Sequence, residues 1–139
     1  MYRSSIAALS LLAFLCLPAA ASNDEAVAKA RTAAQAWLSL ADAGDGAGTW
    51  QSAAAIFQGA VTKDSWQRAL SGVRGPLGAV KGRTFKSATF TKSLPGAPDG
   101  EYVVIQYATQ FANKADSTET VTPMKEKDGS WKVSGYYIK

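Results

Sequence analysis

The chain has 139 residues with 15 Lys or Arg against 11 Asp or Glu, a formal net charge of +4, no histidine and a single cysteine, Cys16. These counts exclude a disulfide within the chain, an imidazole general base and the usual His and Cys ligand sets for zinc or copper. The lysines are scattered without a dense basic cluster, which indicates solvated surface rather than a nucleic-acid interface. We therefore expect no metal, no cofactor and no nucleic-acid partner.

The first 21 residues have the pattern of a secretory signal peptide. A basic start at Arg3 precedes an apolar run from Ile6 to Leu17 and a small-residue site at Ala19–Ala21. The apolar run is too short to span a bilayer, which needs about 20 apolar residues. Lipidation of Cys16 is disfavoured because two large residues precede it where a lipobox has small ones. We expect an exported protein, periplasmic or secreted, with residues 22–139 as a single domain and no integral membrane segment.

A first helix is predicted at the start of this domain. Ser22 or Asn23 can cap its N-terminus, and apolar residues then recur at spacings of three and four. Gly44 is the expected stop, and residues 45–48 (Asp-Gly-Ala-Gly) are expected to form a flexible link.

Two further helices are predicted before the first strand. One runs from Thr49 to about Gln58, with aromatic and alanine side chains on one face. The next follows a cap at Thr62 and is expected to stop before Gly72 and Gly75-Pro76, because glycine and proline both disfavour a helix interior.

The remainder of the chain has strand patterns. Val80 to Thr91 is rich in Thr, Phe and Val, and Gly100 to Phe111 alternates so that Val103, Ile105 and Tyr107 share one face. The last run turns at Lys127–Ser130, where glycine supplies the positive φ of a hairpin. Helices followed by strands predict an α+β fold, with three N-terminal helices packed on a curved antiparallel sheet of about four strands.

The order and spacing of several motifs resemble those of a known family. The motifs are Trp37-Leu38, Asp42-Ala43-Gly44, Trp50, Phe57, Trp66, Arg74-Gly75-Pro76-Leu77-Gly78, Arg83, the segment from Leu94 to Tyr102, Glu119-Thr120-Val121, and the segment from Gly129 to Tyr137. Together they are similar to a bacterial exported family catalogued as domain of unknown function 4019. The resemblance implies a fold similar to the nuclear transport factor 2 and cystatin-like superfamily, with helices in the concavity of a bent sheet. It implies no activity.

A pocket between sheet and helices is expected in such a fold, and four residues are candidates to bind a ligand in it. Arg74 and Arg83 flank the junction between the last helix and the first strand, and a guanidinium pair can bind a carboxylate or phosphate. The alternative interpretation is that one of them pairs with Glu119 or Glu101 and fixes the loop to the sheet. Tyr107, like the other tyrosines, offers a phenolic donor, although packing in the core is the favoured role.

Two functions follow as hypotheses. The first is a non-enzymatic domain that binds a small ligand or a protein partner, with a homodimer formed through the apolar Tyr136–Ile138 segment. The second is a small pocket enzyme for proton transfer or dehydration, since superfamily members similar to ketosteroid isomerase use a carboxylate base and a tyrosine donor. Asp99 and Glu101 are the nearest pair of carboxylates in sequence, but they flank a turn and are better explained by it.

Overall fold

The computed structural model describes residues 19–139, with side chains from residue 23 onwards. Its elements are α1 (Ala19–Asp42), α2 (Gly46–Gln51), α3 (Ala55–Ala60), α4 (Lys63–Leu77), β1 (Val80–Thr91), β2 (Tyr102–Phe111), β3 (Lys114–Lys125) and β4 (Trp131–Ile138). The strands form one antiparallel sheet in the order β1-β2-β3-β4, so the α+β class is confirmed. The apolar run of the predicted signal peptide lies outside the described residues. Within residues 19–139, no helix combines the length and apolar character that crossing a membrane requires.

Helix α1 begins earlier than predicted. Ser22 and Asn23 lie inside it, so their predicted capping role is wrong. The alanines at Ala19–Ala21 are the strongest helix formers, and nothing in this stretch interrupts them. The expected stop at Gly44 is confirmed, because this residue follows the helix with a φ of +75° that favours glycine.

The predicted second helix is wrong in its extent, because two short helices take its place. The Asp45 side chain accepts a 2.8 Å hydrogen bond from the Gly48 N–H and starts α2 inside the predicted flexible link. Between α2 and α3, Ala54 is extended and its N–H donates to the Val133 carbonyl of β4 at 2.8 Å. A continuous helix would have turned that N–H towards its own backbone, so a contact with the sheet accounts for the break.

Helix α4 is longer than predicted. It starts at its expected cap, Thr62, but continues through Gly72 and Gly75-Pro76 to Leu77. The predicted stop is wrong: Pro76 removes one i→i−4 hydrogen bond, but it is the penultimate residue, so only Leu77 of the helix lies beyond it. Gly78 then ends the helix with a φ of +78°.

The strands follow their predicted pattern. β1 has its predicted bounds, and the hairpin between β3 and β4 turns at Gly129, whose φ is +86°. Along β2, Val103, Ile105 and Tyr107 are buried and Gln106 is exposed. Alternation along the strand therefore decides which face meets the helices. Register shifts in all three strand pairings mark bulges or irregularities, and bulges bend a sheet.

The core lies between α1 and the inner face of the sheet. Its buried members are Ala30, Ala34, Trp37, Leu38, Ala41, Leu70, Val103, Ile105, Tyr107, Val121 and Val133. The small side chains of Ala30 and Ala34 are fully buried, which lets the α1 backbone approach the strands closely.

Thr49 in α2 connects three helices through hydrogen bonds. It is fully buried. Its hydroxyl donates to the Gly46 carbonyl at 2.7 Å and accepts from Trp66 Nε1 of α4 at 2.9 Å. Its carbonyl accepts from Trp37 Nε1 of α1 at 3.0 Å. Two indole N–H groups of the helical layer are therefore satisfied at a single residue.

We expect Thr49→Val to lower the free energy of unfolding by about 1 to 3 kcal/mol, because it leaves the Trp66 N–H without its acceptor. Urea unfolding followed by tryptophan fluorescence measures the change. Thr32→Val is the matched control, since the exposed Thr32 hydroxyl bonds only to the Ala28 carbonyl of its own helix. Equal stabilities for the two variants would contradict the role given to Thr49.

Candidate functional site

The candidate site is built around Glu119, in the middle of β3. Its side chain is 0% exposed. Arg83 of β1 reaches it across the central strand β2, where Thr109 is the register partner of Arg83. Three neighbouring strands thus direct polar side chains to one position on the inner face of the sheet.

Four donors surround the Glu119 carboxylate. Arg83 donates from Nε to Oε1 at 2.7 Å and from Nη2 to Oε2 at 3.2 Å. The Thr109 hydroxyl donates to Oε1 and the Tyr136 hydroxyl of β4 donates to Oε2. A carboxylate has about four lone-pair positions, so Glu119 has no acceptor position left.

Asp42, the last residue of α1, extends this set of contacts towards the helices. It accepts from Arg83 Nη1 at 2.8 Å and Nη2 at 2.9 Å, and from Arg74 Nη2 at 2.8 Å. We call Asp42, Arg74, Arg83 and Glu119 the ion-pair network. Its two positive and two negative charges cancel, and it joins α1 and α4 to β1 and β3.

The network shifts the pKa values of its members. Burial raises the pKa of Asp42, but the hydrogen bonds and charges of Arg83 and Arg74 outweigh burial and hold it below its ordinary value. Burial also works against the charge on Arg83, yet its bonds to Asp42 and Glu119 raise the pKa of the guanidinium. The pKa of Tyr136 is raised first by burial and then by the charge of Glu119, so the phenol keeps the proton that it donates.

The four candidate residues do not all meet. Arg74, Arg83 and Glu119 are brought together, and the pairing expected between an arginine and Glu119 is made by Arg83. Tyr107 is the register partner of Glu119 and is buried, but its hydroxyl has no hydrogen-bond partner among residues 19–139. Burial raises the pKa of that phenol. Tyr107 packs edge-on against Phe85, with ring centroids 6.2 Å apart.

The other carboxylates considered from the sequence lie elsewhere. Glu101 pairs with Lys125 at 3.5 Å, and Asp99 is exposed in the turn before β2. Within the described chain, no group of three or more His, Cys, Asp or Glu side chains is arranged to hold a metal ion.

Sequence reasoning missed three members of the site: Asp42, Thr109 and Tyr136. Asp42 was noticed within a family motif, but it is separated from its arginine partners by 32 and 41 positions. Alternation along β2 puts Thr109 on the same face as Tyr107, which was the available signal for a polar residue on the inner face.

A cavity of about 540 Å³ opens beside the network, between the C-terminal ends of α1 and α4. It is lined by Ala41, Asp42, Gly44, Gly46, Gln67, Leu70, Ser71, Arg74, Gly75, Gly78 and Ala79. Four of these residues are glycines, which have no side chain and so leave space at the wall of the cavity. Asp42, Gln67, Ser71 and Arg74 supply its polar side chains.

Arg74 has donors that the protein does not use. Its side chain is nine-tenths buried, and its guanidinium makes one short bond, to Asp42, and a long one of 3.5 Å to the Tyr136 hydroxyl. Its Nε is buried and has no acceptor among the described residues. The guanidinium also lies 5.0 Å from the centroid of the Phe111 ring. Because arginine has five N–H donors, three of those of Arg74 have no acceptor among the described residues.

A family model described as a protein of unknown function (DUF4019) matches residues 33–136, which confirms the resemblance found in the sequence. Searches of the curated proteins and of the solved structures found no match.

Stability should fall in acid because of Asp42. The pKa of this carboxyl is lower in the folded protein than its ordinary 3.8, so the unfolded chain takes up its proton first as the pH falls. The contribution of Asp42 to the free energy of unfolding is complete at pH values above that ordinary pKa and is lost as the pH falls below it. We expect Asp42→Asn to flatten the decline in unfolding free energy between about pH 5 and pH 2, measured by urea unfolding across that range. An unchanged slope in the variant would contradict this role.

Removal of the Glu119 charge should destabilise the protein strongly. We expect Glu119→Leu alone to cost about 3 to 5 kcal/mol, because it leaves Arg83 half-paired near the core. Adding Arg83→Met removes both charges and leaves the pair of Asp42 and Arg74 intact. The double variant should therefore lose less than the sum of the two single variants, as determined by chemical unfolding. Additive losses would show that the two side chains do not act as a pair.

Proposed function

We propose that this chain, which belongs to the DUF4019 family of proteins of unknown function, is a non-enzymatic domain that binds a small polar ligand. The ligand would occupy the cavity between the ends of α1 and α4. The observation that carries the proposal is Arg74 at the cavity wall, where Nη1 and Nη2 each keep one N–H after the bonds to Tyr136 and Asp42. A hydrogen-bond acceptor on a ligand would pair with these unused donors.

The charge of the network indicates the class of ligand. Asp42 and Glu119 already balance Arg74 and Arg83, so a ligand with a net charge would leave one charge uncompensated in a partly buried site. Asp42 is 30% exposed, and its Oδ2 accepts only one of its three bonds. The wall therefore offers an acceptor at Asp42 beside donors at Arg74. A zwitterion such as a free amino acid, with an ammonium and a carboxylate, fits both.

The enzymatic alternative has one observation in its favour, the buried Glu119 carboxylate in contact with the Tyr136 hydroxyl. A base must accept a proton from its substrate, and this requires a free lone pair within reach of it. All four acceptor positions of Glu119 are filled by protein donors, and its side chain is fully buried. Binding is therefore the function that this geometry favours.

We further propose that the domain acts outside the cytoplasm. The support is the signal-peptide pattern of residues 1–21.

Titration of the isotope-labelled protein with free amino acids, followed by NMR, tests the proposal. We expect shifts in the amide signals of Gln67, Ser71 and Gly75 with zwitterions, and weaker shifts with acetate or methylammonium alone. Ser71→Phe should abolish the shifts caused by zwitterions, because the phenyl ring would occupy the cavity. Ser65→Phe, an exposed change on α4 away from the cavity, is the matched control.

Two results would overturn the proposal. The first is the absence of any shift at the cavity residues with millimolar zwitterion. The second is a response that Ser71→Phe and Ser65→Phe reduce equally, since this would place binding elsewhere on the protein.

A further inference from the structure

Within residues 19–139, the outer edge of β4 has no strand beside it. β4 is the last strand of the sheet, and among residues 19–139 the one backbone contact to its outer edge is the bond from the Ala54 N–H to the Val133 carbonyl. The edge beyond Val133 is thus open. Unpaired N–H and C=O groups in a row form a template for another strand.

The opposite edge of the sheet is protected in the ways that edge strands usually are. Two register irregularities interrupt β1, at Lys81 and at Lys86, and both lysines are exposed. Bulges and edge lysines discourage pairing with another chain. β4 has one such irregularity, at Ser134, and carries no charged residue from Val133 to Ile138.

The outward-facing backbone groups can be identified from the ladder. Thr118 and Lys139 exchange both of their backbone hydrogen bonds. Backbone direction alternates along an antiparallel strand. The N–H and C=O of Tyr137 and Gly135 therefore also point towards β3, whereas those of Tyr136 and Ile138 point away from it. These two residues present an N–H and a C=O each at the open edge.

We propose that this edge pairs with the same edge of a second copy of the chain, antiparallel and about a twofold axis at Tyr137. In that register, Tyr136 lies opposite Ile138 of the partner subunit, and Ile138 lies opposite Tyr136 of the partner subunit. Each pair exchanges two hydrogen bonds, so the outward groups of Tyr136 and Ile138 are satisfied on both edges. The open groups are symmetric about Tyr137, and an isologous contact requires such symmetry.

The side chains near the edge fit a second copy. Tyr137 is 59% exposed and, because Tyr136 points to the inner face, it lies on the outer face of the sheet. The twofold axis places its ring beside its own symmetry mate. On the helical side, Val73 of α4 is 50% exposed, at the wall of an apolar cavity of about 200 Å³ that Tyr136 and Ile138 also line. No like charges face one another in this register, since Lys139 lies opposite the glycine at position 135.

Sedimentation velocity and residue-resolved hydrogen exchange test the pairing. A short two-strand contact is smaller than a standard interface of about 1,600 Å², so the dimer is expected at about 100 µM and the monomer at about 1 µM. In the dimer, amide exchange at Tyr136 and Ile138 should slow by about tenfold or more. Exchange at Gly135 and Tyr137 should be slow at both concentrations.

Tyr137→Glu should give a monomer at the higher concentration, because it places two carboxylates together at the axis. Thr89→Glu on the exposed part of β1 is the matched control and should leave the dimer unchanged. A wild-type monomer at both concentrations would overturn the proposal. A dimer that Tyr137→Glu does not weaken, or that leaves exchange at Tyr136 and Ile138 fast, would overturn it as well, because the contact would then lie on another face.

Discussion

The charge of Glu119 is the constraint on which the rest of the site depends. A carboxylate with no exposed surface costs several kcal/mol unless opposite charge and hydrogen bonds surround it. Arg83 of β1 supplies the positive charge. Because a single guanidinium can bond to two carboxylates, Arg83 also donates to Asp42 at the end of α1. Asp42 in turn fixes Arg74 of α4. The burial of one charge on the sheet thus decides where two helices end relative to the strands.

The cavity lies between the C-terminal ends of α1 and α4, which the ion-pair network holds at a fixed separation. Long polar side chains connect α1, α4 and β1, while glycines line the space beside them. Buried ion pairs are seldom the most stable way to fill a core, since apolar residues of the same volume often stabilise more. They do impose a single geometry, because each guanidinium must meet its carboxylate in a defined orientation. Two members of the network, Asp42 and Arg74, line the cavity, so the network fixes the position of these two polar groups at its wall.

Much of the sheet was predictable because its signals are local. Alternation along β2 and the glycine of the last hairpin need only neighbouring residues, and both were predicted correctly. The break between α2 and α3 was not predictable, since its cause is a bond from Ala54 to a strand far along the chain. Arg74 and Arg83 were identified as a pair because they flank one junction. Their common partner, Asp42, was missed because only the tertiary fold brings it close.

Tyr136 belongs to both the network and the open edge of β4, but through different atoms. Its hydroxyl donates to Glu119 on the inner face, whereas its backbone groups point along the sheet to the edge. The exposed ring at the edge is that of the next residue, Tyr137. Alternation along a strand thus separates the two roles into adjacent side chains. On the proposed pairing, a change at Tyr137 is expected to alter association without removing a member of the network, and a change at Glu119 to alter the network without removing a backbone group from the edge.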